Sequence, residues 1–347
     1  MKKKETPPPF KIGETLISPG TSKTIHLPIG TFFHHSALVV KVIHGRRPGP
    51  RLFISSTIHG DELNGIEVIR RVLSSSLIKH IKGTLVIVPI VNVFGLLIQS
   101  RYLLDRRDLN RSFPGSENGS AAAQLAHMFL KEIVKKCSHG IDLHTGSDNR
   151  INLPQIRCDF KSKKTVEMAL AFGAPVILKS SLREGSLREA SEALGIPTLI
   201  FEGGEALRFN EDAIRIATSG IFRVMAMLDM IPSKKITSSK IKSITSPASQ
   251  WVRAPETGIF NSTCLLGKKV CKGDIIGNVA DPLGAASMDV VAHLNGIVVG
   301  RTQLPVVYKG DALFNIAWVP DPTNAEETIE ERVEESFNLA LGDPAKH

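Results

Sequence analysis

Aromatic side chains are scarce: the 347 residues include 15 Phe but only two Tyr and two Trp. A stacking platform for single-stranded nucleic acid or sugars is therefore poorly supplied, and nucleic acid is set aside as a partner. Long apolar runs are missing as well. The longest, Leu85 to Leu97, is broken by Pro89, Asn92 and Gly95 and falls short of the roughly 18 residues a spanning helix needs, so no membrane span is expected. Met1-Lys2-Lys3-Lys4 carries the charge of a signal-peptide start, but Pro7-Pro8-Pro9 stands where the apolar stretch belongs. The chain reads as cytoplasmic. The four cysteines, Cys137, Cys158, Cys264 and Cys271, never come as C-x-x-C, which argues against a zinc ribbon or redox pair and for reduced structural thiols.

What is present is a globular composition, 42% hydrophobic and 22% charged, with a formal charge of +9. That excess fits an anionic substrate as readily as an acidic surface. From about Ala37 to Leu228, short β-branched runs alternate with helical-period segments, the pattern of an α/β sheet. Expected strands are Leu38 to Ile43, Leu52 to Ser56, Thr84 to Val88, Ile141 to Leu143, Pro175 to Leu178 and Thr198 to Phe201. Expected helices are Leu63 to Leu77, Ala121 to Val134, Thr165 to Phe172, Leu187 to Leu194 and Asp212 to Leu228. Residues 1–36 read as an N-terminal extension and 37–230 as the α/β domain. Pro, Ser, Thr and Lys make 231–249 a linker. Glycine turns between short runs make 250–320 a small all-β domain, and 321–347 is an acidic helical tail.

Chemistry concentrates at the carboxyl ends of strands, where open α/β sheets form their ligand sites. The run Leu52 to Ser56 leads into His59-Gly60-Asp61-Glu62, and an imidazole and a carboxylate three apart can converge on one divalent ion. Alone, the pair reads instead as part of a helix N-terminus at which the acids Asp61 and Glu62 complement the dipole. Ile141-Asp142-Leu143 then delivers His144, and two histidines with a glutamate satisfy the three-protein-ligand pattern of catalytic zinc. Between them lies Arg106 to Gly115, where Asn110 and Arg111 offer forked donors for a carboxylate. The strand Pro197 to Phe201 ends in Glu202, and a carboxylate beside such a metal is the general base that metal-assisted hydrolysis requires.

These pieces, in this order, resemble the succinylglutamate desuccinylase/aspartoacylase family, itself related to the zinc carboxypeptidases. The motifs are His59-Gly60-Asp61-Glu62, Asp108-Leu109-Asn110-Arg111, Asp142-Leu143-His144-Thr145 and Phe201-Glu202, spread over about residues 50 to 205. The resemblance implies one Zn2+ per chain held by His59, Glu62 and His144, with Glu202 as base and proton shuttle. It implies Asn110 and Arg111 gripping the substrate's free carboxylate, Asp108 orienting a zinc histidine, Arg101 holding the oxyanion with Arg106 and Arg107 as neighbouring alternatives, and Arg188 reading a second carboxylate. The implied fold is a mixed sheet flanked by helices, and the implied partner is a small-molecule substrate bearing a free carboxylate. A homo-oligomer stays open.

Val252 to Gly258, Gly273 to Gly277 and Val291 to Val298 resemble the half-motifs of a biotinyl/lipoyl-type barrel-sandwich. The expected hairpin tip, Asp281 to Met288, contains no lysine for a carrier group. The expected activity is zinc-dependent hydrolysis of an N-acyl amino acid, with a carboxypeptidase on a short peptide or poly-amino-acid tail as first alternative and a non-catalytic metal-binding interaction protein as second.

Overall fold

The computed structural model describes residues 6–29, 36–147, 149–236 and 241–341. The charged start Met1 to Lys4, His34, His35, Asp148, Lys240 and His347 lie outside the described residues. One sheet organises the chain. From one edge its strands run Thr21–Ile29, Ser36–His44, Lys82–Val88, Arg47–Ser56, His139–Gly146, Thr198–Glu205, Arg150–Cys158, Gly296–Thr302, Ala312–Trp318 and Ser249–Arg253. The four strands from Lys82–Val88 to Thr198–Glu205 are mutually parallel, and the others along this order pair antiparallel. Off it, Arg150–Cys158 also pairs parallel with Val176–Lys179, and that strand with Ile244–Ser246. Segments 64–74, 121–132, 163–172, 187–193 and 211–227 are helices, several opened by a side-chain cap: Ser120, Ser162, Ser186 and Asn210 each accept a backbone N–H of the first turn.

Sheet alternation divides the core. Leu52 and Ile54 pack with Val68, Ile69, Phe172 and Phe201 on one face, while Phe53, Val86 and Val88 pack with Leu38, Val40 and Phe129 on the other. Each fully buried side chain of this size contributes about 1.5–3 kcal/mol of transfer free energy. Because Ile141 and Leu143 belong to the first face, Asp142 and His144 are turned to the opposite one. The parallel core thus carries its polar residues where its apolar ones leave room.

The segment read as an N-terminal extension contributes Phe10–Ile12, Thr15–Ile17 and the edge strand Thr21–Ile29. Beyond residue 249 all strands are antiparallel. Ser287–Val291, Ile275–Ala280, Gly258–Ser262 and Val306–Val307 form a separate four-stranded sheet, with the expected hairpin tip closed by Asp281 N donating to Ala286 O. The barrel-sandwich expectation is corrected in one respect: no closed barrel forms among the described residues, because the remaining strands extend the main sheet. Gly300, Arg301 and Thr302 pair with Asn152, Ile151 and Arg150. The acidic tail is a helix, Pro322–Leu341, tied down by buried Arg332, whose guanidinium donates to Gly173 O. No described helix is long and apolar enough to cross a membrane.

Candidate active site

The strand Arg47–Ser56 ends at buried Ser56, and Thr57 takes a positive φ of 56° that turns the chain toward His59. Gly60 is required next: a Cβ there would stand 2.0 Å from the Gly95 carbonyl carbon. His59 Nδ1 lies 2.7 Å from Glu62 Oε1, and His144 Nδ1 lies 2.8 Å from Glu62 Oε2. The backbone N–H of Thr145 donates to the same oxygen at 3.1 Å. All three side chains are buried, and one ligand atom from each lies within 4.8 Å of the others.

The far nitrogens of both rings are held by carboxylates. His59 Nε2 lies 3.2 Å from Asp108 Oδ1 and His144 Nε2 lies 2.7 Å from Asp142 Oδ2. Ser55 Oγ in turn donates to Asp142 Oδ1 at 2.7 Å. Burial alone would lower both imidazoles, but Glu62 and Asp108 raise His59, and Asp142 and Glu62 raise His144 well above its usual range. Burial alone would raise Glu62, yet the two histidines hold it far below an ordinary glutamate. A buried two-imidazole, one-carboxylate set with Nδ1 atoms turned inward and Nε2 atoms tied back has the donor chemistry of a catalytic zinc site. The residues fit the ion.

Around this triad opens a cavity of about 520 Å³. Arg101 lines it, with Nη2 2.9 Å from Asp108 Oδ2 and Nη1 3.6 Å from Glu62 Oε1, whereas Arg106 and Arg107 are exposed and do not line it. Asp108 also caps the turn Leu109–Arg111 by accepting from Asn110 N at 2.8 Å. Asn110 is buried, its Oδ1 accepting from Leu187 N at 2.9 Å, and Arg111 lines the cavity beside it. Glu202 lies inside the strand Thr198–Glu205, which runs on past the expected end at Phe201, and stands directly beside His144 in the parallel register. Arg188 is buried rather than exposed on its helix, and its guanidinium donates to Arg157 O at 3.2 Å and Ser181 O at 2.6 Å.

Sequence reasoning singled out neither Asp142 as the partner of His144 nor Asn152 and Arg157, which touch Glu202. For Asp142 the signal was there: residues two apart on a strand share a face. Arg150, Arg183, Trp251, Arg253 and Asp311 also line the cavity, so the C-terminal strands contribute to it. Seven lining residues are arginines, against Glu62, Glu202 and Asp311 as the acids. Burial and then the neighbouring Arg111 and Arg157 lower Arg183, the signature of a pocket short of anions.

Comparison with known proteins places the chain in a family. The description "Succinylglutamate desuccinylase/Aspartoacylase catalytic domain" matches residues 48–228. An N-alpha-acetyl-L-2,4-diaminobutyric acid deacetylase of Halomonas elongata is 26% identical over 286 residues, 79% of this chain and 84% of that one. A succinylglutamate desuccinylase/aspartoacylase structure from Rhodobacter sphaeroides superposes with a TM-score of 0.75 at 23% identity, covering 86% of this chain and 96% of that one. The product-bound ectoine utilization protein EutE of Ruegeria pomeroyi gives 0.78 at 22%, covering 86% and 95%. With the catalytic-domain description spanning more than half of its length, the chain belongs to the succinylglutamate desuccinylase/aspartoacylase family.

Proposed function

We propose that this chain is a zinc-dependent deacylase that hydrolyses the amide of a small N-acyl amino acid. The observation that carries the reading is the inward-facing His59–Glu62–His144 triad in one cavity with Glu202, Asn110 and Arg111. A Zn2+ held by those three side chains supplies Lewis acidity for water and for the scissile carbonyl. Asn110 and Arg111 bind the substrate's free carboxylate and so fix which amide is presented. Arg101, anchored by Asp108, offers donors toward oxygen charge developing at the carbonyl. Glu202 takes one proton from the attacking water as oxygen bonds to the carbonyl carbon, then gives it to nitrogen as the C–N bond breaks. The products are a carboxylic acid and a free amino acid.

Two observations favour a small substrate. The cavity is about 520 Å³, and Trp251, Arg253 and Asp311 from the C-terminal part of the chain take up part of its lining. The relative from Halomonas elongata is by name a deacetylase of an acylated amino acid, which supports amide hydrolysis at this site. The deciding experiment is hydrolysis of a panel of N-acyl amino acids and dipeptides by zinc-loaded protein. Release from the N-acyl substrates is expected. Cleavage of peptides alone would make the chain a carboxypeptidase, and no turnover of either with full zinc would make it a binding protein.

A further inference from the structure

Glu202 is not a free carboxylate. Asn152 Nδ2 donates to its Oε2 at 2.7 Å, and Arg157 Nε lies 3.0 Å from its Oε1. The Nε–H is not aligned for a hydrogen bond, so Arg157 acts on Oε1 by charge, whereas Asn152 sets direction. Both partners belong to the strand Arg150–Cys158, beside the Glu202 strand. Five residues apart on a regular strand, they would face opposite sides of the sheet.

An irregularity resolves this. Glu202 pairs with Gln155 but Gly204 pairs with Asn152, so this strand spends one residue more than its partner between the two pairs. The extra residue returns Asn152 to the face Arg157 occupies, and Pro154, which has no N–H to lose, lies inside the bulge. The clamp is braced from behind. Arg188 Nη1 donates to the Arg157 carbonyl oxygen, and Gly300 leaves room for the Asn152 amide, since a Cβ there would come within 2.9 Å of Asn152 Oδ1.

We propose that Asn152 and Arg157 are positioning residues that hold the two carboxylate oxygens of Glu202 separately and so fix its direction toward the reacting atoms. The inference rests on the reading of Glu202 as the base. A glutamate left to rotate at the rim of a cavity lined by arginines would reach the working geometry only part of the time. The clamp removes that freedom before substrate arrives.

The test is a double-mutant cycle on the full-length, zinc-loaded chain with whichever N-acyl amino acid the wild type turns over fastest. Arg157→Met and Asn152→Ala are expected to lower kcat by about 10- to 100-fold with KM unchanged. Arg157→Lys, which keeps the charge, restores most of the rate and guards against a folding defect in Arg157→Met. In a Glu202→Gln background Arg157→Met adds no further loss. Losses that multiply across the two positions, or a raised KM with kcat intact, would overturn the proposal. A second readout needs no turnover: melting temperatures of the metal-free wild type, Arg157→Met, Glu202→Gln and the double variant should be non-additive. Additive melting shifts would also overturn the clamp. If the wild type hydrolyses no N-acyl amino acid, the deacylase reading fails, while the melting cycle still decides the clamp.

Discussion

Asp142 Oδ2 stands 2.7 Å from His144 Nε2, two residues along the same strand and on the same side of it. One strand thus supplies a candidate ligand together with the carboxylate that fixes which ring nitrogen faces Glu62. Asp108 does the same for His59 from a separate loop.

Metal content follows from this arrangement. His59→Ala and His144→Ala are expected to lose the zinc, and Asp142→Asn to weaken it by about 10- to 100-fold while leaving all three donors in place. Metal analysis and chelator competition measure both. Full zinc in either alanine variant would remove that histidine from the ligand set.

Glu202→Gln separates binding from chemistry. It keeps the shape and a hydrogen-bonding oxygen but cannot take up a proton, so zinc content should stay close to wild type. Turnover is expected to fall by about 100-fold or more. A wild-type rate would move the base elsewhere, with Glu205 the nearest carboxylate on that strand.

Recognition of the free carboxylate is open to chemical test from the substrate side. Converting that group to an amide leaves Arg111 facing a neutral partner, at a cost of about 2–3 kcal/mol, or roughly 30- to 150-fold in kcat/KM. Equal rates for acid and amide would make Asn110 and Arg111 structural.

The cysteines give a pH prediction. Burial pushes the Cys137 thiol up to about 12. A folded-state value above the ordinary 9.0 means that the folded chain prefers the neutral thiol. Its contribution to stability is present below pH 9 and is lost as pH rises toward 12. At pH 8 iodoacetamide should therefore modify exposed Cys271 and leave Cys137 untouched until the chain unfolds. Rapid native labelling of Cys137 would show that the core around it opens.

Much of the parallel core was legible because its strands are nearly continuous apolar runs and its helices keep a 3.6 period. The expected Thr84 to Val88 and Ala121 to Val134 lie within a residue or two of Lys82–Val88 and Ala121–Glu132. The strand Arg150–Cys158 was not legible. Asn152, Pro154, Gln155 and Arg157 give it neither an apolar run nor a clean alternation, and its proline argues against a strand. Besides Val176–Lys179, its partners come from positions about 50 and 150 residues away, which periodicity does not report. The same strand hides the site residues the sequence did not yield. Candidate ligands lie at strand ends and can be found by motif, but Asn152 and Arg157 become neighbours of Glu202 only through a bulge.

That strand also joins the Glu202 strand to Gly296–Thr302, so the strand of Glu202 and the C-terminal strands that help line the cavity are one continuous plate. The C-terminal strands therefore do not behave as a detachable accessory. Exchanging them for another module would leave the backbone of Arg150 to Asn152 as an open edge and would shift the footing of Asn152 with it. Freedom to diverge lies instead in the separate four-stranded sheet and its Asp281–Ala286 tip, which can change length or sequence without bending the plate that holds Glu202.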